Sequence, residues 1–188
     1  QGWLKFTMIT TAHGKFKINP ILKIATQWGN KVFAISEDVK SYLIKRYNIP
    51  NDDIHMTING INLERFKPES EFSDNRSIVH ISRLDKSTSL IAYYLIKYAK
   101  SNPKIEIIIV GDGDEYKKIK IKAREINNIL LVGKSDNIPY YLNKAKIFIG
   151  ISRAALEAMC YNIPIVLAGN YGYMGILEKD KLEDAIFN

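Results

Sequence analysis

Short, nearly unbroken apolar runs recur along this chain: VFAI at 32–35, IVHI at 78–81, IEIIIV at 105–110, ILLV at 129–132, IFIG at 147–150 and IPIVLAG at 163–169. They lack the apolar–polar alternation of a half-buried strand. Runs of strand length rich in Ile and Val, separated by stretches of helical period, mark a parallel sheet with helices on both faces. The predicted fold class is therefore α/β, a Rossmann-like parallel sheet flanked by helices.

The order of elements follows from local signals. FTMITTAHG (6–14) reads as a strand, PILKIATQWG (20–29) as a helix stopped by Gly29, and KVFAIS (31–36) as a strand. Ser36 is placed to cap a helix whose Val39, Tyr42, Leu43 and Tyr47 share one face and which halts before Pro50. IHMTING (54–60) is a further strand, and the polar stretch from Ile61 with Pro68 reads as a connection. After the strand SIVHIS (77–82), a helix puts Leu90, Ile91, Tyr94, Leu95 and Tyr98 on one face. A Gly turn, a basic helix (115–126), the strand ILLVGK, a short helix near Tyr140–Lys144, the strand KIFIG, a helix around Glu157 and the strand IPIVLAG complete the series. The expected organisation is a first unit over 1–66, a linker over 67–76 and a second unit over 77–188. Gln1 stands where an initiator Met would, and Asn188 follows a charged stretch, so a piece of a longer protein is expected.

Parallel sheets bind ligands at the carboxyl ends of their strands. The loops at Arg83, Gly111–Gly113, Gly133–Ser135, Gly150–Arg153 and Gly169–Gly175 all follow predicted strands and should share one rim. A net charge of +7 suits anionic partners such as nucleotides, phosphates or an acidic membrane surface. The basic residues are dispersed and no nucleic-acid motif accompanies them, so no nucleic-acid partner is expected. The single cysteine, Cys160, excludes an internal disulfide, suits a reducing cytosol and reads as a small core residue. Three scattered histidines form no metal-ligand cluster, and no metal or cofactor is expected. No apolar run reaches the ~18 residues of a spanning helix. The expected location is cytoplasmic, with peripheral contact to acidic membrane through Lys117, Lys118, Lys120, Lys122 and Arg124, or else a merely solvated basic face there.

Three features on the rim carry chemistry. VGDGDEY holds part of a G-x-G-x-x-G fingerprint, with Tyr116 in place of the third glycine; it is either a close backbone approach to a ligand or a plain turn. Arg83 ends a strand where a guanidinium can meet phosphate oxygens, or can pair with Asp85. Glu157 sits among Ala154, Ala155, Leu156, Ala158 and Met159, where an unpaired carboxylate is costly. A ligand hydroxyl could satisfy it, as in dinucleotide sites, or it could face solvent or a lysine. The helix start at Ser152 and Arg153 would offer amide donors to a phosphate about one turn away.

VFAISEDVKSYLIKRYNIPNDDIHMTINGINLERFKP resembles the stretch before the inter-domain connection of family 4 (group 1) glycosyltransferases, which have the two-domain GT-B fold. The shared features are Ser36-Glu37, Asn59-Gly60-Ile61-Asn62 and Phe66-Lys67-Pro68. ISRLD, IIIVGDGD, ILLVGKSDNIPYYLNKAKIFI and LEAMCYNIPIVLAGNYG continue the resemblance in family order, over roughly residues 7–177. The resemblance implies a nucleoside-diphosphate sugar donor held by the second domain, a glycan or lipid-linked acceptor, and transfer with retention. It implies that Glu157 binds the ribose, that Arg83 meets the diphosphate, and that Gly133, Lys134 and Ser135 edge the base. His13 then lies near the transferred sugar, as the candidate catalytic residue, and Gly172 in a loop close to the donor. Two positions depart from the family pattern. Ile149 stands where the first glutamate of a Glu-x7-Glu motif belongs, and Thr88 where a phosphate lysine belongs, with Lys86 close by. These departures leave a catalytically silent nucleotide-sugar-binding subunit as an alternative; a GT-B sugar-nucleotide epimerase is another, which would need catalytic carboxylates that the sequence does not show. With only part of a first domain before the connection, this piece alone is expected to be inactive.

Overall fold

The computed structural model describes residues 6–15, 19–57, 60–68 and 77–178. The end of the strand predicted over 54–60, most of the linker predicted over 67–76, and the last residues of the second unit lie outside them. The chain divides into two compact units, with Ile61–Glu178 as the larger and the described residues up to Gly60 as the smaller.

In the smaller unit β1 (Ile9–Ala12), β2 (Lys31–Ala34) and β3 (Ile54–Met56) form a parallel sheet in chain order. The helix α1 (Pro20–Ala25) separates β1 from β2, and α2 (Glu37–Tyr47) separates β2 from β3. Val32 and Ala34 turn inward and meet Val39 and Leu43 of α2 and Ile54 of β3. The Ser36 hydroxyl oxygen accepts from the Val39 amide at 3.2 Å, as its position predicted, and Glu37 and Asp38 complement the helix dipole. Asn48 closes α2 in the left-handed conformation, two residues before Pro50. The helix α1 is shorter than its sequence suggested. Both the amide and the hydroxyl of Thr26 bond to the Leu22 carbonyl, and the chain turns extended there, so TQWG is not helical.

The larger unit holds a six-stranded sheet ordered β6-β5-β4-β7-β8-β9. Its strands are β4 (Ser77–Ile81), β5 (Ile107–Val110), β6 (Ile129–Gly133), β7 (Ala145–Gly150), β8 (Ile165–Gly169) and β9 (Gly172–Ile176). All pairings are parallel except β8 with β9. The connecting helices are α3 (Leu90–Ser101), α4 (Tyr116–Ala123), α5 (Ile138–Asn143) and α6 (Ser152–Met159). One face of the sheet packs Ile78, Ile107 and Ile109 against α3 and α4. The other packs Val79, Ile108, Val110 and Phe148 against Leu142 of α5 and Ala155 and Ala158 of α6. The strand β5 is buried throughout, which is why its sequence reads as one apolar run.

Three expectations need correction. The inward face of α3 carries Ile91, Ala92, Leu95, Ile96 and Ala99, whereas Tyr94 and Tyr98 face solvent. The helix is apolar nearly all round, and its small alanines rather than its tyrosines let it approach the sheet. Gly172–Ile176, read as loop, is an antiparallel edge strand, because the turn at Asn170–Tyr171 is tight enough to fold it back on β8. Phe66, read as part of a polar connection, is buried in the core of the larger unit.

Candidate functional site

The strand order fixes where a ligand site belongs. From β4 the chain runs outward through β5 to β6, then returns to β7 on the other side of β4. Such a reversal opens a crevice at the strands' carboxyl ends. Here the β4–β7 ladder ends at Val79 and Phe148, while β4 stays paired with β5 to Ile81 and β7 with β8 to Gly150. The two central strands thus part beyond Val79, and the loops carrying Arg83 and the start of α6 leave from either side of the gap.

His80 spans that gap. Its Nδ1 lies 2.7 Å from the Ile149 carbonyl oxygen and its Nε2 lies 2.9 Å from the Ser82 hydroxyl. Burial pushes its pKa down to about 4, against the raising influence of the Ile149 carbonyl, so the ring is neutral near pH 7. A carbonyl only accepts, so Nδ1 carries the hydrogen, and Nε2 must accept from the Ser82 hydroxyl. Sequence reasoning passed over both residues; the signal was a histidine inside the apolar run of a central strand.

Arg83 follows at once. Its guanidinium is 80% exposed, and its Nε lies 3.8 Å from Asp85, a contact too long and too wet to tie it down. Thr88, at the position of the expected lysine, closes the turn instead. Its hydroxyl donates to the Arg83 carbonyl at 2.5 Å and accepts from the Asp85 amide at 3.2 Å. Lys86 is exposed, and its charge falls on Glu115. That buried carboxylate accepts from Lys118 and Tyr93, each at 2.7 Å. Lys118 first, then Tyr93, and more weakly Lys86 hold the Glu115 carboxyl below the usual range, against its burial.

The glycines of the β5–α4 turn crowd the β4 loop. A Cβ on Gly111 would lie 1.8 Å from the Ser82 carbonyl oxygen, and one on Gly113 2.7 Å from the Leu84 carbonyl. Leu84 and Asp112 are joined by a backbone hydrogen bond, as are Glu115 and Leu84. The close approach these glycines permit is to the chain itself. Gly133, at the end of β6, accepts from the Gly111 amide at 2.8 Å; Lys134 beyond it is exposed, and the Ser135 hydroxyl oxygen accepts from Asn137. Arg65 donates to the Asp136 carbonyl, fastening the same loop.

On the other side of the crevice, α6 begins without a side-chain cap, because its N-cap residue is Ile151. Among the described residues no side chain accepts from its first-turn amides. Ser152 is held at φ +61, a conformation that costs an L residue of order 1 kcal/mol. Glu157, one turn further on, is 8% exposed. Its partner is neither solvent nor a lysine: Arg153, on the same helix, donates from Nε to Glu157 Oε1 at 3.0 Å. The described hydrogen bonds leave Oε2 unengaged. Gly172 opens β9 at φ +89 with open space where a Cβ would stand. His13 follows β1 in the smaller unit and is exposed. Cys160 bonds weakly to the Leu156 carbonyl, and burial pushes its thiol pKa up, with Glu157 adding to the effect. Such a thiol is a poor nucleophile. Among the described residues no group of three or more His, Cys, Asp and Glu could hold a metal ion, and no helix is long and apolar enough to cross a membrane.

Known proteins resemble this chain in sequence and in fold. The family described as glycosyl transferases group 1 matches residues 62–186, and glycosyltransferase family 4 matches residues 2–65. EpsF of Bacillus subtilis (strain 168), named as a glycosyltransferase, is 21% identical over 157 residues, covering 72% of this chain and 41% of its own. The Vi polysaccharide biosynthesis protein VipC/TviE of Salmonella typhi is 26% identical over 91 residues, 44% of this chain and 16% of its own. Among solved structures, a glycosyltransferase from Rickettsia africae superposes with a TM-score of 0.67 at 20% identity, covering 85% of this chain and 51% of that one. Anabaena Alr3699/HepE, solved with UDP and glucose, gives 0.66 at 18% identity, covering 85% and 52%. These structural neighbours are GT-B glycosyltransferases, and this chain spans about half their length.

Proposed function

The chain belongs to the glycosyl transferases group 1 family, and from that membership we propose that it supplies the donor side of a retaining hexosyltransferase. The donor is a nucleoside-diphosphate sugar, and the acceptor a glycan or lipid-linked glycan of the cell envelope. The work is done in the cytoplasm or at the inner face of the membrane. The name of the Salmonella relative, a polysaccharide biosynthesis protein, supports the envelope assignment.

The observation that carries this reading is the composition of the crevice between β4 and β7. An exposed arginine ends one side of it, while uncapped helix amides and a buried carboxylate lie one turn apart on the other. Amides and a guanidinium suit a diphosphate; a carboxylate with an unengaged oxygen suits ribose hydroxyls. The Arg153–Glu157 contact is an i,i+4 pair whose arginine is exposed, so the guanidinium can swing aside when a ligand hydroxyl takes its place on the carboxylate. In transfer, the bond from the anomeric carbon to the diphosphate breaks with its electron pair on the departing oxygen. Arg83 and the α6 amides stabilise the charge that develops there, the preorganised electrostatic contribution that dominates many such reactions. Gly133, Lys134 and Ser135 edge the base, Lys86 adds positive potential and Gly172 lies in the loop close to the donor; the family resemblance makes His13, in the smaller unit, the candidate catalytic residue. No metal is assigned a role.

A second reading has its own support: a catalytically silent nucleotide-sugar-binding subunit. The Ile149 side chain offers no carboxylate beside the crevice, and Thr88 is committed to its turn. A thermal-shift panel of uridine, guanosine and adenosine diphosphates, with and without sugars, tests binding, and stabilisation by none of them refutes both readings. Donor turnover by the full-length protein then separates them. Replacing Arg83 with Ala is expected to lower nucleoside-diphosphate affinity about tenfold. Replacing Glu157 with Gln should weaken ribonucleotides more than their deoxyribose analogues.

A further inference from the structure

We propose that His80 and Ser82 form a relay that presents the Ser82 hydroxyl oxygen as a fixed hydrogen-bond acceptor to a hydroxyl of the donor sugar; the identity of that ligand rests on the reading above. The argument begins with the ladder. Beyond Val79 and Phe148 the backbones of β4 and β7 no longer pair. The Ile149 carbonyl is taken up instead by His80 Nδ1 at 2.7 Å. That bond fixes the tautomer and turns the Nε2 lone pair toward Ser82.

The hydroxyl of Ser82 has one hydrogen, and Nε2 claims it at 2.9 Å. The described hydrogen bonds give Ser82 Oγ no other partner, so its lone pairs remain for a donor from outside. His80 is fully enclosed whereas Ser82 is half-buried, so the relay runs from the interior to the rim. Ser82 also immediately precedes Arg83, and its backbone is clasped by the β5 loop, with its amide on the Val110 carbonyl at 3.1 Å. Ser82 is thus the chain neighbour of the cation assigned to the diphosphate, on the loop that leaves the carboxyl end of β4.

The relay discriminates between ligand groups. A phosphate oxygen has no hydrogen to give. To serve one, Ser82 would have to reverse, leaving Nε2 buried without a partner, which costs more than the new bond returns. A sugar hydroxyl donates without disturbing the chain. On β7 the residue facing the same gap is Ile149, whose one polar contribution there is already engaged by His80. Ser82 is thus the side-chain acceptor for that hydroxyl, and His80 is its positioning residue.

The test is calorimetric titration of the 188-residue chain with UDP, UDP-glucose, GDP and GDP-mannose. The quantity read is the sugar increment, the ratio of Kd for the nucleoside diphosphate to Kd for its sugar conjugate. Replacing Ser82 with Ala should lower that ratio about fivefold, the factor one net neutral hydrogen bond carries. Ser82→Thr should restore it, and His80→Asn, which frees the serine hydrogen, should lower it as Ser82→Ala does. An increment the same in Ser82→Ala as in the parent overturns the proposal. A parent that binds none of the four ligands instead refutes the nucleotide-sugar reading, and the sugar role falls with it. Should the variants not fold, ring nitrogen spectra of the parent decide the matter near pH 6. A neutral imidazole protonated at Nδ1 supports the relay, and one protonated at Nε2 overturns it.

Discussion

Acidification should destabilise the larger unit through His80, by an amount that follows from the burial of the ring. In the folded chain its pKa is about 4, depressed chiefly by burial, against an ordinary 6.5 in the unfolded chain. Above pH 6.5 neither state binds the proton, and the stability of a neutral buried ring is fully present. Between 6.5 and 4 only the unfolded chain binds it, so stability falls as pH falls through that window, by about 1.4 kcal/mol per unit. From pH 7.5 to pH 5.0 the loss from this residue alone comes to about 2 kcal/mol. Carboxylates elsewhere also titrate, so the informative quantity is a difference between variants. His80→Asn keeps an amide donor for the Ile149 carbonyl and cannot be protonated. Urea unfolding of both proteins at the two pH values, followed by far-UV circular dichroism, should show the parent losing about 2 kcal/mol more than the variant. Equal losses would refute the argument, because they would mean that the ring is hydrated or already charged in the folded state.

Other outcomes follow from local geometry. Gly111→Ala should destabilise the larger unit by more than about 2 kcal/mol, since the added carbon meets the Ser82 carbonyl oxygen, a backbone atom that cannot turn aside. Gly172→Ala meets only open space and should cost about 1 kcal/mol, from its left-handed backbone alone; thermal unfolding of the two variants compares them directly. Thr88→Val removes both hydrogen bonds that close the turn after Arg83, and should cost about 1 kcal/mol in urea unfolding and loosen amide exchange at Asp85.

What the sequence disclosed depended on which force recorded itself locally. Burial on both sides of a parallel strand leaves a continuous apolar run, so the strands from β4 to β8 were legible. A capping hydroxyl must sit next to its helix, so Ser36 was legible too. The strand β9 was not, because its Tyr173 and Met174 face solvent and its glycines resemble a loop; only pairing with β8 makes it a strand. The inward face of α3 was hidden for a related reason. When a helix is apolar nearly all round, period alone cannot say which side meets the sheet, and the decision falls to the close approach that Ala92 and Ala99 allow.

The candidate site divides along the same line. Arg83 and the Glu157 segment were visible because residue type and position after a strand are written in the chain. The occupation of each side chain is not. Arg153 reaching Glu157, Thr88 folding back on Arg83, and Lys86 lending its charge to Glu115 are outcomes of geometry among neighbours. Those outcomes bear on the proposed function. Thr88 cannot both staple its turn and reach outward, so a neutral side chain closes the loop after Arg83. Arg153, itself exposed, occupies the Glu157 carboxylate that the proposed reading gives to a ribose. The Ile149 position completes the pattern, since its backbone carbonyl is committed to His80. Around Thr88, Glu157 and Ile149 the polar groups are thus fixed in place by the chain's own hydrogen bonds, and Arg83 is left as the exposed charge. That is the property the proposed donor-binding role requires.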